Sequence, residues 1–178
     1  MFEKHGTAKR RAWRKLHIGI DAASGEIVAF DLTDKDVDDA SDVPTLLDQL
    51  TQAPASFMAD GAYDRTATYD AILARNPFAR FIVPPCKGAV PGPTATISPT
   101  QRDLHILAVD EHGRMNWQKA AGYNKRSKVE AAISRYKRVI GDTLKSRRDA
   151  RRATEVAIAV KSLNRMNGLG RAKLVLVA

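Results

Sequence analysis

Tyr123, Arg126, Glu130 and Lys137 lie in one segment, YNKRSKVEAAISRYK, at offsets of −7, −4, 0 and +7 around a single carboxylate. On a helix turning about 100° per residue, these four fall within roughly 60° of one another. One face then carries a carboxylate flanked by a phenol, a guanidinium and an ammonium. A carboxylate suits a divalent cation, and cations on the same face suit phosphate oxygens. The grouping has the chemistry of a metal-dependent phosphoryl-transfer site on a nucleic acid. A plainer reading fits the same spacing, because Arg126 and Glu130 are an i,i+4 pair and such pairs commonly do no more than support an exposed helix. Val129, Ile133, Tyr136 and Ile140 form a second, apolar stripe roughly 90° around from the first, which sets Glu130 at the margin of a core.

The elements that position this face follow from periodicity. Leu16, Ile18 and Ile20 alternate with other residues, and Ala22-Ala23-Ser24-Gly25 turns the chain into Glu26–Leu32, so an antiparallel hairpin is expected. Ser41 or Asp42 is expected to cap a helix with Pro44 in its first turn. Ser56–Ala59 reads as a short buried strand ending at Asp60, a helix runs from Arg65 or Thr66 to about Arg75, and Phe81-Ile82-Val83 is a strand stopped by Pro84-Pro85. Residues 86–99, rich in Pro, Gly and Thr, read as a loop within a single domain. Helices are then expected over Pro99–Glu111, Lys125–Ile140 and Arg147–Met166, and Leu174–Val177 is a short strand or a frayed end. Arg147, Arg148, Arg151 and Arg152 form either a solvated face or a phosphate-binding one. The order of elements gives an α/β fold, a mixed sheet flanked by helices.

Asp60, in Ala59-Asp60-Gly61-Ala62-Tyr63-Asp64, closes a middle strand. A strand-end aspartate followed by glycine is a natural ligand position, since the strand is rigid and the loop exposes the carboxylate. The alternative is that Asp60 or Asp64 caps a turn or the next helix. Asp60 and Glu130 together have the chemistry to hold two metals that bracket a scissile phosphate.

Composition narrows the partners. The formal net charge of +9 makes a polyanion the natural one. The charge is segregated. Lys4, Lys9, Arg10, Arg11, Arg14 and Lys15 crowd the start, positions 21–64 hold 11 acids against Lys35 alone, and positions 114–173 hold 17 bases against 4 acids. The basic segments are therefore the expected DNA-contacting surface. The single cysteine, Cys86, forms no internal disulfide and suits a reducing cytoplasm; with no motif around it, it reads as a packed residue and not a nucleophile. His5, His17, His105 and His112 are scattered without metal spacing and read as structural or solvated. There is no long apolar run for a membrane span, the N-terminus lacks the apolar stretch of a signal peptide, and no glycine-rich phosphate loop is visible.

Lys9-Arg10-Arg11 through Trp13–His17, the Ala59–Asp64 segment, and Gly122-Tyr123 onwards resemble the catalytic domain of DDE transposases of bacterial insertion sequences. Tyr123, Arg126, Glu130 and Lys137 match the signature Y-x-x-R-x-x-x-E-x-x-x-x-x-x-K without a gap, and the likeness covers almost the whole chain. The resemblance implies a ribonuclease-H-like fold in which three carboxylates bind two Mg²⁺. It assigns Asp60 as the second acid and Glu130 as the third, with Tyr123, Arg126 and Lys137 positioning transposon-end DNA. The reaction implied is metal-dependent hydrolytic cleavage at the element's ends, then strand transfer by attack of the 3′-hydroxyl on target DNA. A homo-oligomer or a full-length transposase is the expected protein partner.

The family's first aspartate lies on a first strand upstream of the segment matching Lys9–His17, so residues 1–178 are expected to be the C-terminal portion of a longer transposase, lacking that strand. Asp21 follows an apolar strand but reads as a hairpin-turn residue. The expectation is an inert fragment: a decayed copy, the downstream product of a split reading frame, or a misplaced start. The alternatives are a non-catalytic module that binds DNA or inhibits a full-length transposase, and a general ribonuclease-H-like nuclease.

Overall fold

A computed structural model describes residues 13–170. Lys4, Lys9, Arg10 and Arg11, and the expected strand or frayed end at Leu174–Val177, lie outside the described residues.

The expected hairpin forms from β1 (Arg14–Ile20) and β2 (Ile27–Asp34), antiparallel, with a register shift between Gly19 and Ile20. Asp21 makes the turn. Its carboxylate accepts the backbone N–H groups of Ser24 at 2.8 Å and Ala23 at 3.2 Å, and these bonds hold its pKa below the ordinary value. Gly25 closes the turn at φ +74°, a conformation that glycine adopts without a Cβ clash.

α1 (Val43–Asp48) follows a 3-10 turn, Ala40–Asp42. The cap expected from Ser41 or Asp42 is not made. The 3-10 turn runs straight into α1, so Asp42 is already helical at φ −87° and ψ −6° and lacks the extended backbone of an N-cap. Asp38 serves instead, taking the N–H groups of Ala40 and Ser41 at 3.2 and 3.3 Å.

β3 (Ser56–Met58) and β4 (Arg80–Ile82) run parallel, and α2 (Thr66–Arg75) makes the crossover between them. Their core gathers Val43 and Leu47 of α1, Tyr69 and Ile72 of α2, and Phe81 and Val83. The rings of Tyr69 and Phe81 stack at 3.6 Å. A second core joins the hairpin to α5 (Ser127–Val139) and α6 (Asp149–Leu169) through Ile27, Tyr136, Val156, Val160 and Leu163.

The fold is α/β, as expected, and the strands among the described residues fall into two two-stranded sheets, β1-β2 and β3-β4, that are not hydrogen-bonded to each other. Residues 86–99 hold turns without helix or strand. α3 (Gln101–His112) opens on a capping box, Thr100 with Asp103. α4 (Arg114–Ala121) is a helix that periodicity did not reveal; it lies between Gly113 at φ 79° and Gly122 at φ 74°.

The helix expected over Lys125–Ile140 begins later. Tyr123–Arg126 is a 3-10 turn and α5 starts at Ser127, because left-handed Gly122 ends α4 and the chain needs this tight turn to redirect. Tyr123 and Arg126 therefore precede the helix that carries Glu130 and Lys137.

Candidate functional site

β3 delivers Asp60. The Ala59 N–H reaches the Ile82 carbonyl at 3.4 Å, so pairing with β4 extends to the residue before the acid. Asp60 is extended (φ −81°, ψ 177°), and its Oδ1 accepts the Ala62 N–H at 3.0 Å, capping the 3-10 turn Gly61–Tyr63. The capping reading of Asp60 thus holds for one oxygen, and Oδ2 points elsewhere. Gly61 lets the backbones come close: a Cβ there would stand 3.3 Å from the Pro84 carbonyl oxygen, tighter than ordinary contact.

Asp64, the other acid of the segment, is a latch. Its fully buried side chain takes Arg102 Nε at 2.8 Å and an Nη at 3.1 Å, and the Cys86 N–H at 3.0 Å. This ties the Asp60 loop to α3 and to the chain after β4. Cys86, expected to be packed, is exposed, with Sγ 3.4 Å from the Gly61 carbonyl. The bonds that Asp64 and Gly61 make to this turn hold Cys86 at the surface and outside either core.

Arg126 brings the two candidate acids together. One Nη donates to Glu130 Oε1 at 2.5 Å and the other to Asp60 Oδ2 at 3.4 Å. The i,i+4 pair therefore exists, and the same guanidinium also spans to an acid 66 residues away. Asp60 and Glu130 keep 46% and 63% of their side chains exposed, so both stay open to a ligand. Lys137 lines a shallow depression with Glu130, Ile133, Ser134 and Arg138. Arg138 is a further cation of that depression, one that spacing alone did not single out.

Tyr123 packs against Trp117 at 5.9 Å. Burial raises its pKa above the ordinary phenol value, and Asp60 and Glu130 add to the rise, so the hydroxyl is a donor at neutral pH. Tyr63, beside Asp60, is pushed up to about 12 by burial and by the acids Asp39 and Asp60. His17 and His105 are structural. His17 Nε2 lies 2.9 Å from Thr33 Oγ1, and His105 sits edge-on to Trp117 at 5.3 Å. Arg147, Arg148 and Arg151 are exposed, whereas Arg152 is held by the Ser146 carbonyl and Asp149 at the start of α6.

The fold is thus an α/β unit with a strand-end acid and a helix acid sharing one guanidinium, under a basic C-terminal half. A family model described as the transposase DDE domain matches residues 1–165, and the chain belongs to that family. No solved structure matches the chain. Transposases of this family act on DNA and depend on divalent metal ions. No helix among the described residues is long and apolar enough to cross a membrane.

The donor set fits a divalent ion. Mg²⁺ is usually held by one or two carboxylates together with water and substrate phosphate, and Asp60 and Glu130 already converge on one cationic group. Arg126 competes for those oxygens. Arg126→Ala should raise the affinity of the pair for Mn²⁺ by roughly two- to fivefold, the equivalent of about 0.5–1 kcal/mol for an exposed ion pair. It should also weaken DNA binding and lower the slope of log affinity against log salt by about 1. Mn²⁺ titration and DNA binding at several salt concentrations check the two effects, which have opposite signs.

Proposed function

We propose that this chain carries part of the site for metal-dependent cleavage and strand transfer at the ends of a bacterial insertion sequence, and that residues 1–178 form a single catalytic domain, the C-terminal portion of a longer transposase. The observation that carries the reading is the Arg126 guanidinium joined to both Asp60 and Glu130. Asp60 and Glu130 hold Mg²⁺ in this reading, and the expected number is two ions in the complete enzyme. Bound there, the ions supply an activated water or 3′-hydroxyl and stabilise the departing oxyanion. Arg126 turns from the carboxylates to a phosphate oxygen, Lys137 adds a second cation along the same helix, and the Tyr123 hydroxyl donates to the backbone. Transposon ends and target DNA are the substrates, and a homo-oligomer or a full-length transposase is the protein partner. The compartment is the bacterial cytoplasm.

The polypeptide by itself is proposed to be inert. The site implied by the resemblance takes three carboxylates, and Asp60 and Glu130 are two of them. The second reading, a DNA-binding or transposase-inhibiting module, is favoured by the charge of +9. Purified chain should therefore bind duplex DNA with an affinity that falls steeply, by about 10³-fold or more between roughly 50 and 200 mM salt if six or more phosphates are contacted. With Mg²⁺ it should leave the DNA uncut. Cleavage that disappears in Asp60→Ala would overturn the inert reading and leave the site assignment standing.

A further inference from the structure

Arg114 opens α4 and is exposed. Among the described residues its side chain makes one hydrogen bond, from an Nη to the Pro85 carbonyl at 2.9 Å, and pairs with no carboxylate. A guanidinium carries five N–H donors, so most of its binding capacity stays open. The two other guanidiniums of this surface are engaged by acids: Arg102 holds Asp64, and Arg126 spans Asp60 and Glu130.

The contacts of Arg114 lead back to the acid pair from two sides. On one side its carbonyl partner follows Pro84, whose own carbonyl lies against Gly61, the residue after Asp60. On the other side Trp117 stands one turn along α4, on the same face as Arg114, and its ring meets that of Tyr123 at 5.9 Å. Trp117 is 4% exposed and edge-on to His105 of α3 at 5.3 Å, so this aromatic step is firmly held. Burial raises the Tyr123 pKa, and Arg126 and Arg114 both draw it back, as two nearby cations do. A closed ring of contacts therefore joins Asp60 to Arg114 through the Pro84-Pro85 turn, and returns through Trp117, Tyr123 and Arg126.

We propose that Arg114 binds a DNA phosphate beside the one held at Asp60, Glu130 and Arg126, so that two guanidiniums grip successive phosphates of one strand on either side of Tyr123. The proposal rests on the reading of Asp60, Glu130 and Arg126 as a DNA site. A planar guanidinium with one Nη fixed on a carbonyl aims its remaining donors in a set direction, which suits the oxygens of a phosphate. Such a contact carries no base preference. It fixes register, because a strand held at two neighbouring phosphates presents one particular phosphate to the carboxylates.

The test measures binding of the full chain to a short random-sequence duplex across a range of KCl concentrations. Arg114→Gln should keep the circular dichroism of the fold and lower the slope of log affinity against log salt by about 1. Combined with Arg126→Ala, it should lower the slope by about 2. Arg114→Lys keeps the charge and a donor for the Pro85 carbonyl, and should keep the slope. Arg75→Gln removes the same charge at the far end of α2, where Arg75 pairs with Asp48, and should also keep it. An unchanged slope in Arg114→Gln would overturn the proposal, while a loss in Arg126→Ala alone would leave the site reading standing. An equal loss in Arg75→Gln would overturn it too, by making the effect one of general charge. So would a double variant that loses only about 1, which puts both guanidiniums on one phosphate. A slope and a melting temperature that fall in Arg114→Lys as well would reduce Arg114 to a strut for the Pro85 turn.

Discussion

Phe81→Ala should cost about 3–5 kcal/mol of folding stability, the range for deleting a buried aromatic ring. Phe81 is 1% exposed, stacks on Tyr69 at 3.6 Å and meets Phe57 at 5.3 Å, so the ring joins α2, β3 and β4 in one contact. Ile72, Ala79 and Val83 around it are themselves fully buried. The loss reaches the site. β3 is only Ser56–Met58 and its ladder partner is the strand that carries Phe81, so the carboxylate of Asp60 should lose its fixed position with the ring. Urea unfolding gives the stability change, and a loss below about 1 kcal/mol would show that this core is already loose.

Asp64→Ala should cost about 2–3 kcal/mol. Removing one partner of a fully buried ion pair costs about 3–5 kcal/mol, and the Arg102 side chain keeps 31% of its exposure, so water takes up part of the abandoned charge. The Cys86 N–H also loses its acceptor. Asp64→Asn should lie between the two, since the amide keeps an acceptor for one donor and no charge for the guanidinium. The signature beyond stability is local: the chain from Asp60 to Asp64 and the turn at Cys86 should gain hydrogen exchange together, while α6, on the other core, should not.

Much of this was legible in the sequence where a period carries the information. The hairpin, α2 and α6 all show alternating or helical apolar spacing, and their observed bounds lie within a few residues of the expected ones. α4 escaped because Trp117 is its one buried residue, and a single apolar anchor makes no stripe. Helical spacing puts Tyr123, Arg126, Glu130 and Lys137 on one helix, yet Tyr123 and Arg126 lie in the 3-10 turn before α5, and Arg126 meets Glu130 from that turn. The cap expected of Ser41 or Asp42 failed for a related reason, since a tight turn merging into a helix removes the N-cap geometry.

Long-range pairs are the other gap. Asp64 and Arg102 are 38 residues apart, and nothing in the local pattern told a buried latch acid from an open one in Ala59–Asp64. The structure separates them by burial. Asp64 is consumed by its partners, and Asp60 keeps an oxygen free of the backbone.

The most direct measurement is Mn²⁺ binding, followed through water-proton relaxation, to the chain in complex with duplex DNA, compared among wild type, Asp60→Asn and Glu130→Gln. If Asp60 and Glu130 hold the ion with a phosphate, relaxation enhancement should be present in the wild-type complex and fall about tenfold or more in either variant, while DNA affinity at low salt stays high. Enhancement of equal size in all three complexes would place the ion elsewhere and contradict the assignment of these two carboxylates.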